Sequence, residues 1–157
     1  MAKYYQGVIN NMVKKLKDFE PYVKEYLNSY LSSTAADELL TEMIANNQLY
    51  RRGIEGYGRK IMSYAPYAVS TIRYKKRKGQ PHTRVTLKDT GDFYSGFKVI
   101  TTSAGFYITS DDKKTKWLVN KYGESIFRIT NENFKRFIDK HVRKDLAKYL
   151  KSKYKTR

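Results

Sequence analysis

The stretch RVTLKDTGDFYSGFKVITTSAGFYITSDDKKTKWLVNKYGESIFRIT, residues 84–130, changes its hydrophobic period repeatedly, and its reading decides the fold class. Arg84 to Leu87 reads as a strand, and Thr90 is placed to cap a short helix over Gly91 to Gly96. Phe97 to Thr101 and Phe106 to Thr109 alternate about a turn at Gly105 and predict a β-hairpin. Thr115 to Tyr122 reads as a helix stopped by Gly123, with Ser125 to Ile129 as a last strand. Short strands interleaved with helices give an α+β fold, a small antiparallel β-sheet packed by helices.

Upstream the texture is helical. Tyr5, Val8, Ile9, Met12, Leu16 and Phe19 recur every three or four residues, as one face of an amphipathic helix requires. Pro21 is expected to interrupt that helix and to start a second one carrying Tyr22, Val23, Tyr26, Leu27, Tyr30 and Leu31. Ser33 or Thr34 can cap a third helix, from Ala35 to about Gln48, that buries Leu39, Leu40, Met43, Ile44 and Leu49, with Asp37 and Glu38 near its positive end. Residues 1–48 therefore form an N-terminal helical segment, followed by a basic α+β region over 49–157.

Between Tyr50 and Pro81 the glycines 53, 56, 58 and 79 and the prolines 66 and 81 predict an extended, loop-rich excursion with short β-prone pieces such as Val69 to Tyr74. Downstream, Thr130 begins a long C-terminal amphipathic helix reaching about Tyr154. Phe134, Ile138, Val142, Leu146 and Tyr149 occupy one side, and Arg136, Lys140, Arg143, Lys144, Lys151 and Lys155 the other.

The 157 residues carry 32 Lys and Arg against 15 Asp and Glu, a net charge of +17. Residues 1–48 hold five cations and six acids, a net of −1, so the remainder carries +18. Such a surface favours polyanions or acidic protein neighbours. The sharpest local concentration is RYKKRKGQPHTR, residues 73–84, where Arg73, Lys75, Lys76, Arg77, Lys78 and Arg84 are accompanied by no acid and Tyr74 is available to stack. Read as a flexible loop, it suits phosphate backbones without reading sequence, or an acidic protein partner.

Constellations for catalysis are weak. Cysteine is absent, which removes thiolate chemistry and disulfides. His82 and His141 have no carboxylate or second histidine at ligand spacing. Asp89 with Asp92, and Asp111 with Asp112, could hold a cation for phosphodiester chemistry, but they fall at turn and cap positions. Gly53, Gly56 and Gly58 fit neither a dinucleotide fingerprint nor a P-loop and read as turn residues. No stretch reaches the roughly 18 apolar residues of a membrane span and no leader-like segment opens the chain, so a soluble, unexported protein is expected. The reading is a non-enzymatic protein with no cofactor and no metal.

The order of motifs resembles the tail-completion and minor tail proteins of tailed bacteriophages, which act at the head–tail connector or neck. That family carries a Leu-x-x-Thr-Gly-x-Leu/Phe-x-x-Ser/Gly-Phe/Ile block, a hairpin and an aromatic-Gly segment before a terminal helix. Here Leu87, Thr90, Gly91, Phe93, Gly96, Phe97, Tyr122 and Gly123 match it, and LYRRGIEGYGRKIMSYAPY followed by KRKGQP extends the likeness to about residue 49. Where the family has Pro-x-Arg-Pro-Phe, this chain has Ser125-Ile126-Phe127-Arg128.

The resemblance implies a homo-oligomeric ring in the virion, assembled in the host cytoplasm, touching portal, connector or tail subunits, with packaged DNA as a further contact, and with no catalytic residues and no membrane. The alternative expectation is a small non-specific DNA-binding or packaging accessory protein. A metal-dependent nuclease using the aspartates ranks last.

Overall fold

The computed structural model describes the backbone of residues 2–102 and 105–155 and the side chains of residues 14, 17–102 and 105–154. The expected stripe at Tyr5, Val8, Ile9, Met12 and Leu16, the side chain of Lys155 and the hairpin tip at 103–104 lie outside the described residues. In chain order the elements are α1 (Ala2–Leu31), α2 (Thr34–Glu42) continuing into a π-helical stretch (Met43–Arg52), a 3₁₀ turn (Ile61–Ser63), α3 (Val69–Arg77) and α4 (Asp92–Ser95). They are followed by β1 (Phe97–Thr102), β2 (Gly105–Ser110), α5 (Thr115–Tyr122), a 3₁₀ turn (Glu124–Phe127), α6 (Asn131–Phe137), a π-helical turn (Ile138–Val142) and α7 (Arg143–Lys155). The fold is α+β: helices around one antiparallel hairpin, with a long C-terminal helix.

β1 and β2 pair from Phe97↔Ser110 to Thr102↔Gly105. The outer side of β1 is closed by the α1–α2 corner. Asp37, in the first turn of α2, accepts the Val99 N–H at 2.6 Å, and the Ser32 and Thr101 hydroxyls meet at 3.1 Å. Ser33 caps α2 by accepting the Ala36 N–H, as its position predicts. Since Val99 turns its polar groups away from β2, its partner Ile108 turns its own away from β1.

A single apolar cluster runs from Leu31 to Val142 and joins Leu40, Ile44, Leu49, Ile61, Val85, Phe93, Phe97, Leu118, Ile126 and Phe137. Inside it lies one polar knot. Gln48, fully buried, donates to the Arg128 carbonyl at 3.0 Å and accepts the Thr130 N–H at 2.8 Å and the Asn133 amide at 3.1 Å. Asn133 also donates to the Met43 carbonyl at 3.4 Å. The start of α6 is thus tied to the π-helical stretch by side-chain amides acting where a ladder of backbone bonds would otherwise be needed.

A second buried polar group organises the turn after that stretch. Glu55 accepts the N–H groups of Tyr57 at 3.1 Å and Arg59 at 3.0 Å, within a loop closed by the Ile54–Lys60 bridge. Burial alone raises its pKa. The backbone donors, the Ser125 hydroxyl and the Arg59 side chain outweigh that and hold the carboxyl below its ordinary value. Gly53 and Gly58 adopt positive φ here, but Gly56 is needed for packing: a Cβ there would lie 2.2 Å from Arg128 Cβ.

Several expectations are corrected. Pro21 does not break α1, which is continuous through it. The bond it forfeits is to the Lys17 carbonyl, on a stretch where both residues are exposed and water can serve. Val69 to Tyr74 is helical, not β-prone, because Tyr67, Ile72 and Lys75 pack inward and burial overrides the β-branched propensity. Arg84 to Leu87 forms no strand. The Tyr67 hydroxyl oxygen accepts the Thr86 N–H at 2.9 Å, Tyr94 donates to the Thr86 carbonyl, and Leu87 at φ 53° ends the extension.

Thr90 is not the cap of α4. Gly91 takes that position at φ 111°, and the Thr90 hydroxyl donates to Asp92 at 2.7 Å. Ser125 to Ile129 is no strand either, since Glu124–Phe127 coils into the 3₁₀ turn after Gly123. In the C-terminal helix, which starts at Thr130 as its cap, the π-helical turn shifts the face. Phe137 is fully buried whereas Phe134 is exposed and only stacks on Phe106, with centroids 6.5 Å apart.

Two outcomes follow. Gln48→Leu leaves the Arg128 carbonyl, the Thr130 N–H and the Asn133 amide without their partner, at about 1–3 kcal/mol each. Urea unfolding should show a lower midpoint with unchanged slope, by more than any surface substitution gives. For Glu55, the depressed pKa means its stabilisation is full above the ordinary glutamate value of 4.5 and is lost as pH falls through the lower folded value. Glu55→Gln should therefore be less stable at neutral pH and should lose less stability on acidification, measured by urea midpoints across pH.

Candidate functional site

Two surfaces carry groups that the fold does not consume. The first is a cleft of about 190 Å³ between α3, the segment 87–93 and α5, with Tyr67, Leu87, Phe93, Leu118 and Tyr122 in its wall. Leu87, Thr90, Gly91, Phe93 and Tyr122, singled out from the sequence as motif residues, meet here; Phe97 and Gly123 stand just behind. Phe93 meets Phe97 edge-on at 5.0 Å, which fixes the wall against β1. Burial pushes the Tyr122 hydroxyl up to about 12, so the ring stays neutral. Gly123, at φ 86°, ends α5 where a side chain would be strained.

Trp117 stands on the rim of this cleft and is 59% exposed. Lys121 lies over its ring at 5.2 Å from the centroid. Sequence reasoning passed over Trp117, although the only tryptophan, set in KKTKWLVNK, was the available signal. A large apolar ring left in water beside a formed cleft marks a contact surface.

The basic segment is ordered, not a flexible loop. Arg73, Lys75, Lys76 and Arg77 lie on α3, and Lys78 closes it before Gly79 at φ 64°. Lys75 is buried, only 5% exposed, and donates to the Lys88 carbonyl at 2.6 Å and to Gln80 at 3.0 Å. It is a structural cation, unable to meet a polyanion. Lys78 pairs with Asp89 at 3.1 Å, an exposed bond that holds the Asp89 carboxyl below its ordinary value. Arg84 donates to the Tyr50 carbonyl at 2.7 Å. Arg73, Lys76 and Arg77 remain exposed, with no partner among the described residues.

The second cationic group lies on α6, the π-helical turn and α7. Arg136 pairs with Glu132 at 3.1 Å and Arg143 with Asp139 at 2.7 Å, both one helical turn apart. Lys140, Lys144 and Lys151 are exposed and unpaired among the described residues. This group belongs to the helix that packs on α1, whereas the α3 cations border the motif cleft. The two cationic groups thus lie on separate elements.

The larger opening, about 650 Å³, runs along β2. Tyr57, Tyr107, Val119, Phe127, Arg128 and Ile129 line it. Tyr57 and Tyr107 are mostly exposed, and the Arg128 guanidinium lies over the Tyr57 ring at 4.6 Å. Phe106 and Ile108 turn their backbone N–H and C=O toward this side, since the alternate residues pair with β1. Among the described residues no backbone group pairs with Phe106 or Ile108 on this side, so the β2 edge is open there.

The aspartates considered for metal chemistry are engaged locally. Asp111 pairs with Lys98 at 2.6 Å, and Asp112 accepts the Lys114 N–H at 2.6 Å. Among the described residues no group of three or more His, Asp or Glu could hold a metal ion. His82 Nδ1 lies 3.3 Å from the Gln80 carbonyl, and His141 packs near Phe137. Among the described residues no helix is long and apolar enough to cross a membrane. Comparison with protein-family models, curated proteins and solved structures returned no match.

Proposed function

We propose that this chain is a structural virion protein of a tailed bacteriophage, assembling as an oligomeric ring at the neck, head–tail connector or upper tail. The observation that supports it most is the open β2 edge. The sheet has two strands; β1 is closed by Asp37 and the α1–α2 corner, while β2 faces an opening lined by Tyr57, Tyr107 and Phe127. An uncovered edge with exposed aromatics is a template for a neighbouring subunit. The motif cleft with Trp117 supplies a second such surface, so one copy has two different faces for two neighbours, as a head-to-tail ring requires. The family resemblance of residues 84–150 supports the same reading.

The second reading, a non-specific DNA-binding or packaging accessory protein, is favoured by Arg73, Lys76 and Arg77 projecting together from the last turns of α3. Both readings place the protein without catalytic residues, and a ring around passing DNA accommodates both surfaces.

Light scattering on the purified chain should report a multi-copy species. Tyr107→Lys, which places a charge beside the open edge at an exposed position, should collapse it to smaller species with unchanged circular dichroism. Persistence of the full assembly in that variant counts against the β2 edge as the contact. For DNA, the triple change Arg73→Gln, Lys76→Gln, Arg77→Gln should flatten the slope of log affinity against log salt by up to about 3, at roughly 0.9 per phosphate contact. An unchanged slope removes α3 from any DNA interface.

A further inference from the structure

The cleft beside Trp117 has a requirement that the fold leaves unmet. Its wall is largely apolar, but Tyr122, only 4% exposed, lines it with a hydroxyl that has no hydrogen-bond partner among the described residues. A hydroxyl so placed costs free energy until something completes it. The occupant therefore needs an apolar body and a polar tip. The volume of about 190 Å³ sets its size, since an apolar cavity of about 150 Å³ holds one benzene ring. These demands describe a single tyrosine side chain.

The chain carries one that is uncommitted. Among its exposed tyrosines, Tyr57 accepts a bond from Arg128, Tyr64 donates to the Tyr122 carbonyl, Tyr74 donates to Asp89, and Tyr154 meets Phe19. Tyr107 is 55% exposed and has neither a hydroxyl partner nor an aromatic contact among the described residues. It lies in the middle of β2, where strand alternation turns Ile108 into the core and Tyr107 away from it.

The charges agree. Lys88, Lys114 and Lys121 line the cleft with no acid partner among the described residues, whereas Asp89, Asp92 and Asp112 are engaged by Lys78, the Thr90 hydroxyl and the Lys114 N–H. The uncompensated charge at the cleft is positive. On the β2 side, Glu124 shares the opening with Tyr107, is exposed, and has no side-chain partner among the described residues. Arg128, the cation of that opening, is held over Tyr57.

We propose that Tyr107 of one copy enters the Trp117 cleft of the next, where its ring packs against Trp117 and its hydroxyl pairs with that of Tyr122. Glu124 of the inserting copy then faces the Lys114 and Lys121 ammonium groups of the receiving one. Trp117, Leu118, Lys121 and Tyr122 line the cleft from one side of α5, while Thr115 and Val119 line the β2 opening from another. Donor and acceptor are thus different surfaces. Each pair of copies keeps one Tyr107 and one cleft free, and the contact repeats head to tail. It presupposes the oligomeric ring and supplies the side chain that joins its copies.

Trp117, the only tryptophan, reports on the cleft directly. In the full-length chain, concentrated until light scattering shows the multi-copy species, its emission should move to shorter wavelength. Its quenching by acrylamide should fall by about threefold or more relative to the diluted chain, as the ring leaves water. Tyr107→Ala should show the quenching of the diluted chain at every concentration. Protection that survives in that variant, or assembly with Trp117 as quenchable as in the diluted chain, overturns this contact and leaves the ring reading standing. A chain that stays single at every concentration overturns both. Tyr107→Phe and Tyr122→Phe read the hydroxyl pair. Tyr122→Phe should leave thermal unfolding of the diluted chain unchanged, and each substitution should weaken assembly by roughly two- to tenfold. The double variant should be no weaker than either single one. Losses that multiply in the double variant overturn the pairing of Tyr107 with Tyr122.

Discussion

The fold depends on the Gln48 side chain. Its amide replaces a strand partner for residues 128–130, accepting the Thr130 N–H and donating to the Arg128 carbonyl, while Asn133 binds the same oxygen. These bonds span roughly half the chain in sequence and join the helices before residue 53 to the C-terminal helix. Thr130, its own N–H held by Gln48, caps α6 by accepting the Asn133 N–H, and α6 in turn leads into the helix that meets α1. Gly56 shows how tightly this seam is closed, since its hydrogen faces Arg128 where no side chain fits. Burial of such a polar knot is costly unless every member is paired, and here each is.

Around this frame the polar and charged groups divide into those the fold uses and those it leaves outside. Lys75, Glu55 and the hydroxyls of Tyr67 and Tyr94 serve as internal fasteners, holding segments that form no regular ladder. Arg73, Lys76, Arg77, Lys140, Lys144 and Lys151 serve none, and neither do the rings of Tyr107 and Trp117. Contact surfaces that combine an open strand edge, exposed aromatics and free cations suit assembly, with polyanion neutralisation as a compatible second use.

Much of the architecture was legible in the sequence because it is local. The hairpin alternates cleanly from Phe97, the Ser33 and Thr130 caps follow from residue type, and Gly123 ends α5 as its position suggests. What escaped was set by distant partners. α3 looks β-prone until Tyr67 and Lys75 are seen to face inward, and residues 84–87 look like a strand until two tyrosine hydroxyls take the place of a neighbour. The π-helical turn at Ile138–Val142 exchanged Phe134 for Phe137 in the core, a shift of face that no fixed 3.6-residue period anticipates. The site fared similarly: the motif residues converge on one cleft, but its exposed ring, Trp117, carried no periodic signal, and the fold withdrew Lys75 from a basic run that looked uniformly available.

The central claim is that the open β2 edge and the Trp117 cleft are covered by neighbouring virion subunits. Electron cryo-microscopy of phage particles containing this chain tests it most directly. The account predicts several copies arranged in a closed ring at the neck or upper tail, with β2 and Trp117 buried against adjacent chains. Particles in which the chain is absent, or present as single copies with both surfaces facing solvent, would contradict it.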